Sequence, residues 1–227
     1  RDKAVDLLLE EAGSDTALTL VLVRVCEQLL EEEKSWRADQ PLRELSKQLG
    51  KEQSLEHLAL LRQLDSAQFL EIHQRLQQRT HAFASRMRTT GRNVLAAIAN
   101  AGLTDQDLAY GSKGIISYFQ KLAAFDTWFT PGANVTKTLN SGTWHQQKAP
   151  ASAKAAIAAL APMFKQTIEE VEALRKTEMR QYFLELAVLK DLMPTATLNS
   201  IDQRLEALKH DEGVSFFSDL TRKVMQV

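Results

Sequence analysis

FLEIHQRLQQRTHAFASRMRTTGRNVLAAIANAG, residues 69–102, decides the fold. Its apolar positions run Phe69, Ile72, Leu76, Phe83, Met87, Val94 and Ile98, with Thr80 and Gly91 filling the gaps. Steps of three, four and seven residues lay these positions along one stripe of an α-helix about nine turns long. Thr89-Thr90-Gly91, two β-branched residues ahead of a glycine, is the candidate kink. Gly102 is the stop signal.

Toward the N-terminus the same reading gives a helix from Asp2 or Lys3 to about Ala12, stopped by Gly13. Asp15 then caps a helix from Thr16 to about Glu33. Asp39, with Pro41 just inside, opens Pro41–Leu49, and Gly50 closes it. Ser54–Leu64 is a short amphipathic segment. Toward the C-terminus, Thr104-Asp105-Gln106-Asp107 reads as a one-turn helix capped by Thr104, and Ile115–Ala124 as a further helix. Residues 125–150, FDTWFTPGANVTKTLNSGTWHQQKAP, read as irregular, anchored by Trp128, Phe129 and Trp144. A second long helical stretch runs from Ala151 to Lys190, with Pro162 as a candidate break. Pro194 interrupts the pattern before a last helix to Lys209. With only 9 Gly and 5 Pro in 227 residues, little material remains for the turns of an all-β fold. The expectation is an all-α, irregular multi-helix domain with two long helices.

Val214-Ser215-Phe216-Phe217 departs from that pattern and reads as a short strand, rich in β-branched and aromatic residues. One strand cannot satisfy its own N–H and C=O groups, so its partner lies elsewhere. The chain begins at Arg1 without a methionine and stops at Val227 in mid-pattern, as expected of a piece of a larger protein.

Several chemistries lack their motifs. No G-x-x-x-x-G-K-[ST] loop occurs; Gly50-Lys51 lacks the hydroxyl neighbour. G-x-G-x-x-G, H-E-x-x-H and C-x-x-C are absent as well. His57, His73, His81, His145 and His210 show no paired ligand spacing. Asp105 and Asp107 read as solvated acids near a helix start rather than metal ligands. Asp211-Glu212 follows Ala-Leu-Lys-His and not a buried strand, so it is no DExx box. Cys26, the single cysteine, lies in the apolar run LTLVLVRVCEQLL and reads as a core residue, which points to a reducing, cytoplasmic compartment. The N-terminus is charged and amphipathic, unlike a secretory signal, and the longest apolar run contains Arg24 and is too short to span a membrane.

Charge is unevenly spread. Ile72–Thr104 contains no Asp or Glu but holds Arg75, Arg79, Arg86, Arg88 and Arg92. Thr127–Ile168 is also acid-free, with Lys137, Lys148, Lys154 and Lys165. On a helix Arg75, Arg79 and Arg86 fall within about 40° of one another, beside the apolar stripe. They form a basic ridge suited to phosphate, or a solvated flank whose arginines pair with acids elsewhere.

Three stretches in this order resemble one family: Glu32-Glu33-Lys34-Ser35-Trp36, then DLAYGSKGIISYFQKL at 107–122, then Val214 to Leu220. Together they are similar to UvrD/Rep-type superfamily 1 DNA helicases, especially AddA-like and RecB-like helicase–nucleases. The resemblance covers essentially the whole chain and places it in the helical 1B-type insertion before the DExx box. It implies a helical accessory domain over 1–212 and, over 213–227, a return segment whose strand belongs to a RecA-like motor domain. It also implies a parent protein that unwinds DNA with ATP and Mg²⁺ in repair or recombination. No cofactor-binding or catalytic residue carries onto this chain, so it is expected to be inactive alone. The implied partners are duplex or forked DNA, the remaining helicase domains and a nuclease subunit, with the chain itself monomeric and no membrane involved. The candidate nucleic-acid contacts are Arg75, Arg79, Arg86, Arg88, Arg92, Lys113 and Lys121. The competing reading is a helical protein–protein interaction module or adaptor that binds no DNA.

Overall fold

Asp15 accepts a hydrogen bond from the Leu18 amide at 3.0 Å, and a helix begins there as its spacing predicts. In a computed structural model that describes residues 1–31, 39–51, 60–127 and 129–213, most of the described residues are α-helical. The order is α1 (Asp2–Glu10), α2 (Thr16–Glu31), α3 (Asp39–Ser46) with a 3₁₀ turn over Lys47–Gly50, and α4 (Ser66–Asn100). A second 3₁₀ turn, Gly111–Lys113, precedes α5 (Ile115–Ala124), α6 (Ala133–Ser141), α7 (Ala151–Leu174) and α8 (Arg180–Glu212). Among the described residues no strand forms. The expected strand at Val214–Phe217, the Lys34-Ser35-Trp36 stretch and Trp128 lie outside the described residues.

The chain divides into two compact units inside what reads from sequence as one helical region. The first comprises residues 1–77 with those from 185 onward. Its core joins Val5, Leu8, Val21, Leu42, Phe69 and Ile201. Helix α4 starts three residues before its apolar stripe because Asp65 and Gln68 cap it reciprocally. The Gln68 amide donates to Asp65 Oδ1 at 2.8 Å, and the Asp65 amide donates to Gln68 Oε1 at 2.9 Å. Cys26 is only half-buried at the edge of this unit, and burial still raises its thiol pKa.

The second unit, residues 78–184, gathers Met87, Val94, Phe119, Phe125, Phe164 and Ile168 into its core. Helix α4 passes through Thr89-Thr90-Gly91 without interruption. Gly91 serves a close crossing instead: a Cβ there would stand 2.4 Å from the Ala123 nitrogen. Phe125 holds a left-handed backbone, φ 37°, at the end of α5. Its ring is 1% exposed, edge-on to Phe83 at 5.7 Å and near Tyr182 at 5.3 Å. Burying a phenylalanine stabilises by about 2–3 kcal/mol, enough to offset a left-handed residue.

Three expectations need correction. Residues 125–150 are not wholly irregular, since Ala133–Ser141 is helix α6. Val135 and Thr138 are buried one turn apart there, and the left-handed Gly142 terminates the helix. Pro162 does not break α7, nor does Pro194 interrupt α8. A helical proline costs about 3 kcal/mol, but Phe164 and Ile168 beside one, and Met193 and Ala196 beside the other, are buried. Around Pro194, Thr195 Oγ1 donates to the Asp191 carbonyl at 2.7 Å and Thr197 Oγ1 to that of Met193 at 3.0 Å.

Between α7 and α8 the backbone makes a π turn over Arg175–Met179. Seven residues beyond the buried Val171 stands Glu178, an acid that an unbroken α-helix would turn toward the core. The widened turn adds one residue to the register. Met179 is therefore the fully buried residue, and Glu178 points outward to an arginine.

Candidate nucleic-acid interface

The two units differ sharply in charge. Residues 78–184 carry thirteen Lys and Arg against seven Asp and Glu, a formal net of +6. The remaining residues carry −7, so the chain's near-neutral total conceals a basic unit and an acidic one. Both acid-free stretches read from the sequence fall mainly in the basic unit.

Within that unit α4 supplies four arginines with different fates. Arg79 and Arg86 are exposed on the predicted flank. Arg86 Nη2 lies 2.6 Å from Glu178 Oε2, and its guanidinium stands over the Phe83 ring at 5.2 Å. Both ends of the ion pair are about half exposed, so the pair is worth at most about 1 kcal/mol and leaves Arg86 able to meet a phosphate. Arg88 turns inward. Its Nε donates to the Ala124 carbonyl at 3.0 Å and its Nη2 to that of Phe125 at 3.3 Å. A cation thus closes the negative end of α5, a structural duty. Arg92 is exposed, and among the described residues its guanidinium meets no acid or carbonyl. Arg75 belongs to the other unit and pairs with Glu71 one turn back at 2.6 Å.

Lys113 and Lys121 are both exposed, Lys113 in the 3₁₀ turn ahead of α5 and Lys121 in that helix's last turn. Two loops are stitched together beside Lys113. The Ala109 amide donates to the Trp144 carbonyl at 2.9 Å, and the Gln146 amide to that of Asp107 at 2.8 Å. Thr104 donates through its amide and its hydroxyl to the Asp107 carboxylate, which holds Asp107 below its usual range. Asp107 thus secures the loop, and Thr104 is not the helix cap that its position suggests. Trp144 and His145 continue into a shallow groove of about 500 Å³ with Pro162 and Lys165.

The acidic unit has a cleft of about 570 Å³ lined by Arg24, Glu27, Glu31, His73, Lys190 and Met193. Burial, and then the charge of Arg24, hold the His73 imidazole below its ordinary pKa. Mixed charge gives this cleft no bias toward phosphate. Among the described residues no group of three or more His, Cys, Asp or Glu is placed to hold a metal, and no helix is long and apolar enough to cross a membrane. No protein-family model, curated protein or solved structure matches the chain.

Sequence reasoning placed Arg79, Arg86 and Arg92 on one helix but missed the inward turn of Arg88. The signal for it is weak: Arg88 follows the buried Met87 and stands one turn before Gly91, where the backbone of α4 meets that of α5.

Proposed function

We propose that this chain is a nucleic-acid-binding accessory domain of the kind its resemblance implies, the DNA-contacting helical insertion of a UvrD/Rep-like helicase. The observation that carries the reading is the segregation of charge into a +6 unit, because phosphate binding follows local and not total charge. Arg79, Arg86 and Arg92 on α4 supply phosphate contacts, with Lys113 and Lys121 exposed on the same unit. ATP and Mg²⁺ belong to the parent's motor and have no residues here.

A titration of labelled fork DNA at several salt concentrations tests the reading. With about three phosphates neutralised, the log–log slope on duplex is about −2.7. Raising salt from about 50 to about 200 mM then weakens binding roughly 40-fold. Changing Arg79 and Arg86 together to Gln flattens the slope by about two units, with little sequence preference. Equal affinity and slope for both proteins would remove the reading.

A second reading has its own observation. On the acidic unit Val188 of α8 is exposed in a shallow groove with Ala187, Asp191, Leu192 and Thr195. Such a surface fits a helical protein partner. Association that ignores salt and is lost on Val188→Asp supports it.

A further inference from the structure

Only two described residues other than glycine have positive φ: Phe125 and Tyr110, the latter at 62°. A left-handed backbone costs a side-chain-bearing residue about 1–2 kcal/mol. Phe125 recovers that cost by burying its ring. Tyr110 does not, because it is 48% exposed, the one exposed Phe, Trp or Tyr among the described residues. Glycine or asparagine would hold the same backbone at less cost.

The surroundings force this conformation. The Gly111 amide donates to the Leu108 carbonyl at 3.0 Å, and the Lys113 amide to the Tyr110 carbonyl at 3.1 Å. Ala109 is tied to Trp144 across the loop pair, and a Cβ on Gly114 would stand 2.1 Å from the Ala109 oxygen. A rigid turn therefore presents a flat ring to solvent. Lys113, exposed and without an acid or carbonyl for its ammonium among the described residues, is in the same turn, within the +6 unit. A side chain strained at a position where no packing repays it is a mark of use.

We infer that Tyr110 is a stacking platform for an unpaired base of a nucleic-acid strand, with Lys113 meeting the adjoining phosphate. An aromatic face beside a basic surface is how single strands are held without sequence preference. Duplex bases hide their faces in the stack, so the contact selects the unpaired arm of a fork. The inference rests on the nucleic-acid reading and adds the kind of strand and the residue that grips it.

The experiment titrates the full chain and its variants against a labelled oligo(dT) strand and a blunt duplex. Tyr110→Gly and Tyr110→Asn weaken strand binding about tenfold at an unchanged salt slope, since stacking is worth 1–3 kcal/mol per base. Duplex binding is unchanged, and neither variant lowers the melting temperature, because both residues accept positive φ. Tyr110→Phe and Tyr110→Trp keep strand affinity, while Lys113→Gln flattens the strand slope by about 0.7. If Tyr110→Gly binds the strand as the wild type does, the inference is wrong and the phosphate reading stands. A loss in Tyr110→Phe equal to that in Tyr110→Gly overturns it too, since the hydroxyl and not the ring would matter. If the wild type binds neither strand nor duplex, both readings fall.

Discussion

Gly91 meets Ala123 backbone to backbone, with no room for a side chain between α4 and α5. The three nearest atoms to a Cβ at Gly91 are all main-chain atoms of Leu122 and Ala123, at 2.4–2.9 Å, so no flexible side chain can give way. Gly91→Ala should therefore destabilise the basic unit by about 3 kcal/mol, although alanine favours helices by about 1 kcal/mol elsewhere. Urea unfolding reads the change; a midpoint at or above that of the wild type would show that the crossing is looser than described.

Arg88 and Arg92, four residues apart, should separate stability from binding. Arg88→Gln loses the bonds to two carbonyls at the end of α5, costs about 1.5 kcal/mol and leaves the salt slope alone. Arg92→Gln leaves the melting temperature alone and flattens the duplex slope by about 0.9. Paired melting and titration curves check it. The opposite pattern would exchange their roles.

In the acidic unit, Asp202 is buried and grips Arg62 through both oxygens, with Arg62 Nη2 3.0 Å from Oδ1. Asn199 Nδ2 donates to the Leu64 carbonyl at 2.8 Å nearby. Asp202→Ala removes both close contacts of Arg62, with Glu206 Oε1 still at 3.6 Å, and should cost about 2 kcal/mol. Asp202→Asn keeps the shape and one acceptor and should cost less. Equal stability for Asp202→Ala and the wild type in thermal melts would mean that Arg62 escapes to water.

His73 gives the acidic unit a pH dependence of definite sign. Burial and Arg24 lower its folded pKa below the ordinary 6.5. As pH falls through 6.5 the unfolded chain takes up a proton that the folded chain still refuses, so stability falls with pH there. Glu27, Glu31 and Lys190 also line the cleft. Denaturant midpoints measured between about pH 7 and 5 should decline for the wild type and decline less for His73→Gln. Parallel declines would place the titration elsewhere.

Helix α4 was legible in the chain because a helix is a local object. Its bonds join residues four apart, and its buried face repeats with the turn. The cap at Asp15, the left-handed Gly102 and the full extent of α5 follow the same local rules. Acid-free composition likewise marks the basic stretches in the sequence itself. Everything decided by partners far apart in the chain was not legible. Residues 1–77 and those from 185 onward share one core, which no local pattern announces. Arg86 meets Glu178 across 92 positions, and that meeting depends on a π turn that rotates Glu178 away from the core. Pro162 and Pro194 carry the local signature of a break, yet burial of the turns around them outweighs it. Arg88 and Arg92 look alike in the sequence; tertiary structure gives one to the end of α5 and leaves the other to solvent, because only the folded chain brings the Ala124 and Phe125 carbonyls within reach of α4.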